Sequence, residues 1–505
     1  MVREERVLPL ATETINELRL LIRSRHPVIT IETAEESRAL ARVREAVGSF
    51  AFPCYVWDLI EGFHEVGGHG VSVPQTRKPA EALAYLASVE WPAVFVMRDF
   101  CRHLEDAAVQ RLLRRFAESA SSRRQTLILI DAVARLPESC ARLAVPFQFS
   151  LPSEAELRDI VRRTFGEHAR YWKARSELTQ SQFDQLVWML RGLTADEARL
   201  AVSRVILDDD CLNADDLPRL LAIKREMIGR GGVLEYVEST AGLESLGGLA
   251  NLKKWLLRRA EAWTAGARAF GLSPPRGVLL LGVQGCGKSA ACKAVAAAWG
   301  VPLLRLDPGT LYDKFIGESE RHLRRAIEQA ESMAPIVLWI DEIEKAFASA
   351  GSESADGGLS RRLFGTLLTW LQDHTAPVFC AATANDITAL PPELVRKGRF
   401  DEVFFVDLPS REVREQILAI HLRKRGRQPE RYDLAALAEA TAGFAGAELE
   451  QVLISALYAA FSARRDLTTA DIMTEIEGTR PLSVTLAEQV DALRAWAAER
   501  CVPAD

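Results

Sequence analysis

One octapeptide constrains this chain more than any other feature. Gly282-Val283-Gln284-Gly285-Cys286-Gly287-Lys288-Ser289 has the spacing G-x-x-x-x-G-K-[ST]. The apolar run Gly277–Leu281 leads into it and reads as a buried strand. The alanine-rich stretch Ser289–Ala298 follows and reads as a helix. Strand, glycine-rich loop and helix in that order lay the loop at a strand's C-terminal end. There the glycines let backbone N–H groups curl around phosphate oxygens, and the helix N-terminus adds its positive dipole end. Lys288 is placed to reach β- and γ-phosphates, and the Ser289 hydroxyl to ligate Mg²⁺. ATP and Mg²⁺ are the expected cofactors. The bland alternative is a glycine-rich turn that holds no ligand.

The rest of the chain supplies the sheet around that loop. Apolar runs Val278–Leu281, Leu303–Leu306, Ile336–Ile340, Val378–Ala382 and Val403–Val406 alternate with helical patterns, which predicts a parallel sheet flanked by helices. After Leu408-Pro409-Ser410 the pattern becomes almost all helical and reads as a small lid. The first part of the chain repeats the plan without the chemistry. Val28–Ile31, Val94–Met97 and Leu127–Ile130 read as strands. Yet Thr33-Ala34-Glu35 follows the first with no Gly or Lys for a phosphate, and Arg98-Asp99 closes the second where two acids would be needed. This is a weak internal repeat, a nucleotide-binding fold that has lost its site; an unrelated α/β domain is the alternative. Between the halves, Asp208–Glu238 reads as helical, with a Gly229-Arg230-Gly231-Gly232 interruption as a hinge.

With 505 residues, 48% of them hydrophobic, the chain is long enough for two to four domains. Its net charge of −6 gives no electrostatic footprint for bulk nucleic-acid binding. The eight cysteines are scattered without a C-x-x-C pair, so neither a zinc site nor a disulfide framework is expected. The first residues lack an apolar signal region, and no apolar run is long enough to span a bilayer. A cytoplasmic protein without a membrane segment is expected.

Two further strand ends carry candidate chemistry. Ile336–Ile340 terminates in Asp341-Glu342: Asp341 is a candidate Mg²⁺ ligand, and Glu342 a candidate base that polarises the attacking water. Val378–Ala384 terminates in Asn385, placed to orient that water beside Glu342. Arg396 and Arg399 come next, and guanidinium groups suit the charge of a phosphoryl-transfer transition state. Arginines alone are commonly surface charges, so these two rest on the resemblance that follows.

The set resembles the AAA+ ATPases, and within them the AAA clade. Gly282–Ser289 matches the Walker A motif, Asp341-Glu342 the end of Walker B, and Asn385 sensor 1. Arg396 and Arg399 match the two arginine fingers, which in this family reach the neighbouring subunit's nucleotide. Thr441–Glu448 resembles the lid segment in which Gly446-Ala447 replaces a sensor-2 arginine. Leu246-Gly247-Gly248-Leu249, Met333-Ala334-Pro335, Trp339–Ile343, Leu368–Leu371 and Arg396–Glu402 further resemble the Ycf46-like family of plastids and bacteria. The resemblance implies a P-loop AAA+ domain with a C-terminal helical lid, preceded by a degenerate AAA-like α/β domain. The expected order is degenerate domain 1–205, helical linker 206–244, large ATPase subdomain 245–409, and lid with C-terminal helices 410–505. It also implies a tie to inorganic-carbon use.

Lys314-Phe315-Ile316-Gly317 resembles the first pore loop of AAA unfoldases, in which an aromatic side chain grips a polypeptide. Ser349–Gly358 falls where a second pore loop would lie. A core Phe near a turn and an ordinary surface loop are the bland readings. Arginine fingers make a lone protomer's site incomplete, so a homo-oligomeric, hexameric ring acting on an unidentified protein client is expected. Two readings stand beside it: a nucleotide-gated regulatory or scaffold ATPase without threading, and a nucleic-acid motor, which the acidic balance opposes.

Overall fold

The computed structural model describes all residues except 1–9, 49, 51, 66–71, 231–232, 239–240, 263–264, 312–317, 347–358, 388–389, 392 and 397. The chain divides into two compact units, Met1–Leu221 and Ala222–Asp505.

The first unit is built on six strands: β1 (Val28–Glu32), β2 (Cys54–Asp58), β3 (Gly62–Glu65), β4 (Ala93–Arg98), β5 (Gln125–Asp131) and β6 (Ala144–Phe147). Their order is β3-β2-β4-β5-β1-β6, parallel throughout except for the β2–β3 hairpin. Parallel strands with both faces covered read as continuous apolar runs. β1, β4 and β5 are buried at nearly every position and were legible in the sequence, while the less completely buried β2, β3 and β6 were not. Alternate residues point into separate cores on the two faces, Val28, Phe95 and Leu127 to one, Ile29, Val96 and Ile128 to the other. The unit is completed by helices Glu154–Trp172, Gln180–Met189 and Ala195–Asp209. Two short paired strands accompany them, β7 (Arg175–Ser176) and β8 (Cys211–Leu212).

The second unit contains β9 (Leu234–Val237), β10 (Gly277–Gly282), β11 (Leu303–Leu306), β12 (Ile336–Ile340), β13 (Val378–Ala384), β14 (Glu402–Val406) and β15 (Val502–Pro503). The order is β15-β14-β10-β13-β12-β11-β9. All five anticipated strands are present. The stretch read as a helical connection instead supplies helix Asp216–Arg230 and then β9, which pairs antiparallel with β11. Its sequence, Leu-Glu-Tyr-Val, alternates as a half-buried edge strand does. Helices Arg411–Lys424, Leu434–Ala440, Gly446–Ser462 and Thr469–Gly478 pack around Leu418, Leu437, Leu453 and Ile472 as the expected lid. Beyond helix Ala487–Ala497 the chain returns to the sheet, where β15 pairs parallel with β14.

Numbering the main parallel strands of each unit in chain order gives the same arrangement, 5-1-4-3-2, in both. The first unit thus has the topology of the second. Among the described residues no helix is long and apolar enough to cross a membrane.

Candidate active site

The loop after β10 owes its shape to glycine. Gly282 has φ +155°, and a Cβ there would lie 2.0 Å from the Val406 carbonyl oxygen of β14. Gly285 has φ +77°, and a Cβ there would press on that of Ala447 at 3.1 Å. Only a residue without a side chain lets the loop leave the sheet and pass this close to the lid. Lys288 opens helix Lys288–Trp299 and turns back into the loop, its Nζ donating to the carbonyl oxygens of Gly282 and Val283, both at 2.8 Å. The side chain is 5% exposed. Burial pushes its amine down to about 8. Burial likewise pushes the Cys286 thiol up to about 11, so it stays protonated at neutral pH.

Asp341, at the end of β12, gathers its neighbours. Ser289 Oγ donates to Asp341 Oδ1 at 3.1 Å, and Thr383 Oγ1 on β13 donates to the same oxygen at 2.8 Å. Thr383 also accepts the Glu342 amide at 2.9 Å. Arg305 from β11 sits 3.4 Å from Asp341 Oδ2. A serine hydroxyl and a carboxylate oxygen side by side, next to the phosphate-type loop, form the hard-oxygen donor set that suits Mg²⁺.

Glu342 has φ +49°, which turns its side chain off the strand direction. Asn385 Nδ2 donates to Glu342 Oε1 at 3.0 Å, and Lys345 forms an ion pair with Oε2. The Asn385 amide donates to Glu344 Oε1 at 2.9 Å, so backbone and side chain of Asn385 are both fixed by the segment after β12.

These groups share a cavity of about 800 Å³ lined by the loop, Asp341, Glu342, Thr383 and Asn385. Its far wall is the lid: Ile417 and His421 from one helix, Gly446, Ala447 and Glu450 from another. The Ala447 amide donates to the Gly285 carbonyl at 2.9 Å, joining lid to loop. Burial lowers the pKa of His421, whose Nδ1 lies 3.4 Å from Glu450.

The structure therefore brings together Gln284–Ser289, Asp341, Glu342, Asn385, Gly446 and Ala447. Gly282 and Val283 bind Lys288 through their carbonyls. Arg396 is exposed and Arg399 half-buried; neither lines the cavity, and Arg399 donates to the Glu393 carbonyl. Lys314, Phe315, Ile316, Gly317 and the stretch Ser349–Gly358 lie outside the described residues. Sequence reasoning missed Thr383, Arg305, Gly247, His421 and Asp505. Thr383 had a signal, as a lone polar residue inside an apolar strand run. Asp505 had none, because β15 carries it to the cavity from the far end of the sequence.

Comparison with known proteins agrees with this geometry. Residues 278–408 match the model of the ATPase family associated with various cellular activities (AAA), and 431–475 match the AAA+ lid domain. Residues 14–149 and 155–231 match the N-terminal and second domains of SpoVK-like AAA ATPases. An uncharacterized AAA domain-containing protein, ycf46, of Guillardia theta is 36% identical over 96% of this chain and 94% of its own length. A proteasome-activating nucleotidase of Aeropyrum pernix is 38% identical over 42% of this chain and 52% of its own. A cell division cycle protein 48 homolog of Archaeoglobus fulgidus is 37% identical over 45% of this chain and 31% of its own. With P-loop, strand-end acids and lid in one cavity, and a full-length match beside them, the chain belongs to the AAA ATPases, in their ycf46 group.

Proposed function

We propose that the chain is an ATP-driven motor that assembles as a homo-oligomeric, hexameric ring and remodels a protein client. The observation that carries this reading is the shared cavity. Its floor is the sheet's C-terminal edge and its wall is the lid, so chemistry at the floor has a second rigid body to move. The relatives named as a proteasome-activating nucleotidase and a cell division cycle protein 48 homolog support the same reading.

In this proposal the loop amides and Lys288 bind the β- and γ-phosphates. Ser289 and Asp341 would hold Mg²⁺, which would supply positive charge against that developing in the transition state. Glu342 takes the proton of the attacking water, and Asn385, already 3.0 Å from its carboxylate, fixes the orientation of both. Lys345 is the competing partner of that carboxylate and must yield it for the base to work. Arg396 and Arg399, which lie off their own protomer's cavity, complete the site of the next protomer. Gly446 and Ala447 report the state of the loop to the lid. Phe315, flanked by Lys314, Ile316 and Gly317, grips the client.

The test is light scattering of the Glu342→Gln variant after size-exclusion chromatography, with and without Mg-ATP, beside its ATPase rate. The expected result is retained ATP binding, loss of turnover, and a shift to about six protomers. Normal hydrolysis by this variant would remove Glu342 as the base. A variant that binds ATP and stays monomeric would replace the ring motor by a nucleotide-gated regulator that assembles on its partner. ATPase stimulation by an unfolded protein, lost in Phe315→Ala, separates threading from gating alone.

A further inference from the structure

The first unit repeats the topology of the second, which allows its lost site to be located position by position. β1 is the counterpart of β10. Five residues, Val283–Gly287, separate β10 from its helix, but only three, Thr33–Glu35, separate β1 from helix Glu36–Val47. A loop that short cannot wrap a phosphate. Arg98 ends β4 at the place of Asp341: the next residue is left-handed in both, Asp99 at φ +53° and Glu342 at φ +49°. An arginine, here ion-paired with Asp58, cannot ligate a cation.

The short connector ends in a buried carboxylate. Glu35 is 7% exposed and stands at the mouth of the helix after β1. Its Oε2 accepts from Arg38 Nη1 at 2.8 Å. Its Oε1 accepts from the Ala195 amide at 2.5 Å. Ala195 is the first residue of the third helix beyond Leu151-Pro152-Ser153. In the second unit, the third helix beyond Leu408-Pro409-Ser410 starts at Gly446, and its Ala447 amide meets the phosphate loop at Gly285. The two contacts correspond, with the Glu35 carboxylate in the place of the Gly285 carbonyl.

Arg38 extends the lock to the connection between β6 and helix Glu154–Trp172. It donates to the Ser150 carbonyl at 2.8 Å and to Glu156 at 3.2 Å, and its guanidinium lies 4.6 Å from the Phe149 ring centroid. Arg42 reaches Glu156 at 2.5 Å. Burial alone would raise the Glu156 carboxyl, but Arg38, the Ser153 amide and Arg42 outweigh it and hold it at about 2.

We propose that Glu35 makes permanent, through its side chain, the contact that the loop after β10 makes with the lid in the second unit, keeping the helical half of the first unit docked on its sheet without nucleotide. The first unit then keeps one conformation through the ATP cycle of the second, as a fixed body rather than a second engine.

Hydrogen exchange on the full-length chain tests this, read at residues 194–198 and, as reference, at 446–450. In Glu35→Ala, exchange at 194–198 is expected to rise at least tenfold with 446–450 unchanged. Glu35→Gln, which keeps an acceptor but loses the charge facing Arg38, is expected to show a smaller rise and guards against a misfolded alanine variant. No rise in either overturns the lock. Adding ATP to the Lys288→Ala chain should leave 194–198 unchanged, and a change in exchange there on adding ATP would overturn the proposal outright.

Discussion

Binding of nucleotide should draw a proton onto Lys288 at alkaline pH. Its amine is buried against two carbonyls and held at about 8, against 10.5 for a free lysine. That drop corresponds to about 3 kcal/mol by which burial disfavours the charged form. Phosphate oxygens at the loop favour the charged form and restore the amine toward its ordinary value. The sign follows. Below about pH 7 the amine is already charged and binding takes up almost nothing, about 0.1 proton per site. At pH 9 most free protein carries a neutral amine, and binding takes up about 0.9 proton, with apparent affinity about tenfold weaker than at pH 7. Isothermal titration of ADP in buffers of differing ionisation enthalpy measures that uptake directly, with the same titration at pH 7 as the reference. Uptake below about 0.2 proton at pH 9 would refute the argument, because Lys288 would then be charged in the free protein.

Three other outcomes follow from single contacts. Thr383→Val keeps the shape of the β13 position but removes the hydroxyl shared by Asp341 and the Glu342 amide. Turnover should fall about 10- to 100-fold with little change in KM, as steady-state kinetics would show. Gly285→Ala forces a side chain at φ +77° against Ala447. It should cost about 1–2 kcal/mol and shrink the nucleotide-induced rise in melting temperature. Glu156 has a depressed carboxyl pKa, so its contribution to the first unit is intact above the free-glutamate range and is lost as pH falls toward about 2. Circular dichroism should show acid destabilisation in that window, flattened in Arg42→Met.

Much of the second unit was legible because its strands are buried on both faces. Ile336–Ile340 and Val378–Ala384 are buried at every position, so each reads as an apolar block, the second broken only by Thr383, with a polar residue at its end. The catalytic candidates sit at those block ends, which is why Asp341, Glu342 and Asn385 could be named from pattern alone. Edge elements were not legible for the opposite reason. β9 is four residues long and half exposed, and β15 has two residues; neither makes a run. Glu35 was noticed only as the absence of a phosphate loop. Its role depends on Ala195, 160 residues away, and no local pattern carries such a contact. The same holds for His421 and Asp505, which reach the cavity through the packing of the lid and of β15.

The return of β15 to the sheet has a consequence for how the second unit is made. Asp505 accepts the Ala250 amide at the start of helix Ala250–Leu257 across 255 residues of sequence, and Asn251 donates to the Pro503 carbonyl across 252. Contacts of that span carry the largest loop-closure entropy in the unit and form late. During synthesis the P-loop, both acids and the whole lid emerge before β14 acquires its last neighbour. The nascent ATPase therefore waits with an open sheet edge, a stage at which pairing with other chains competes with completion.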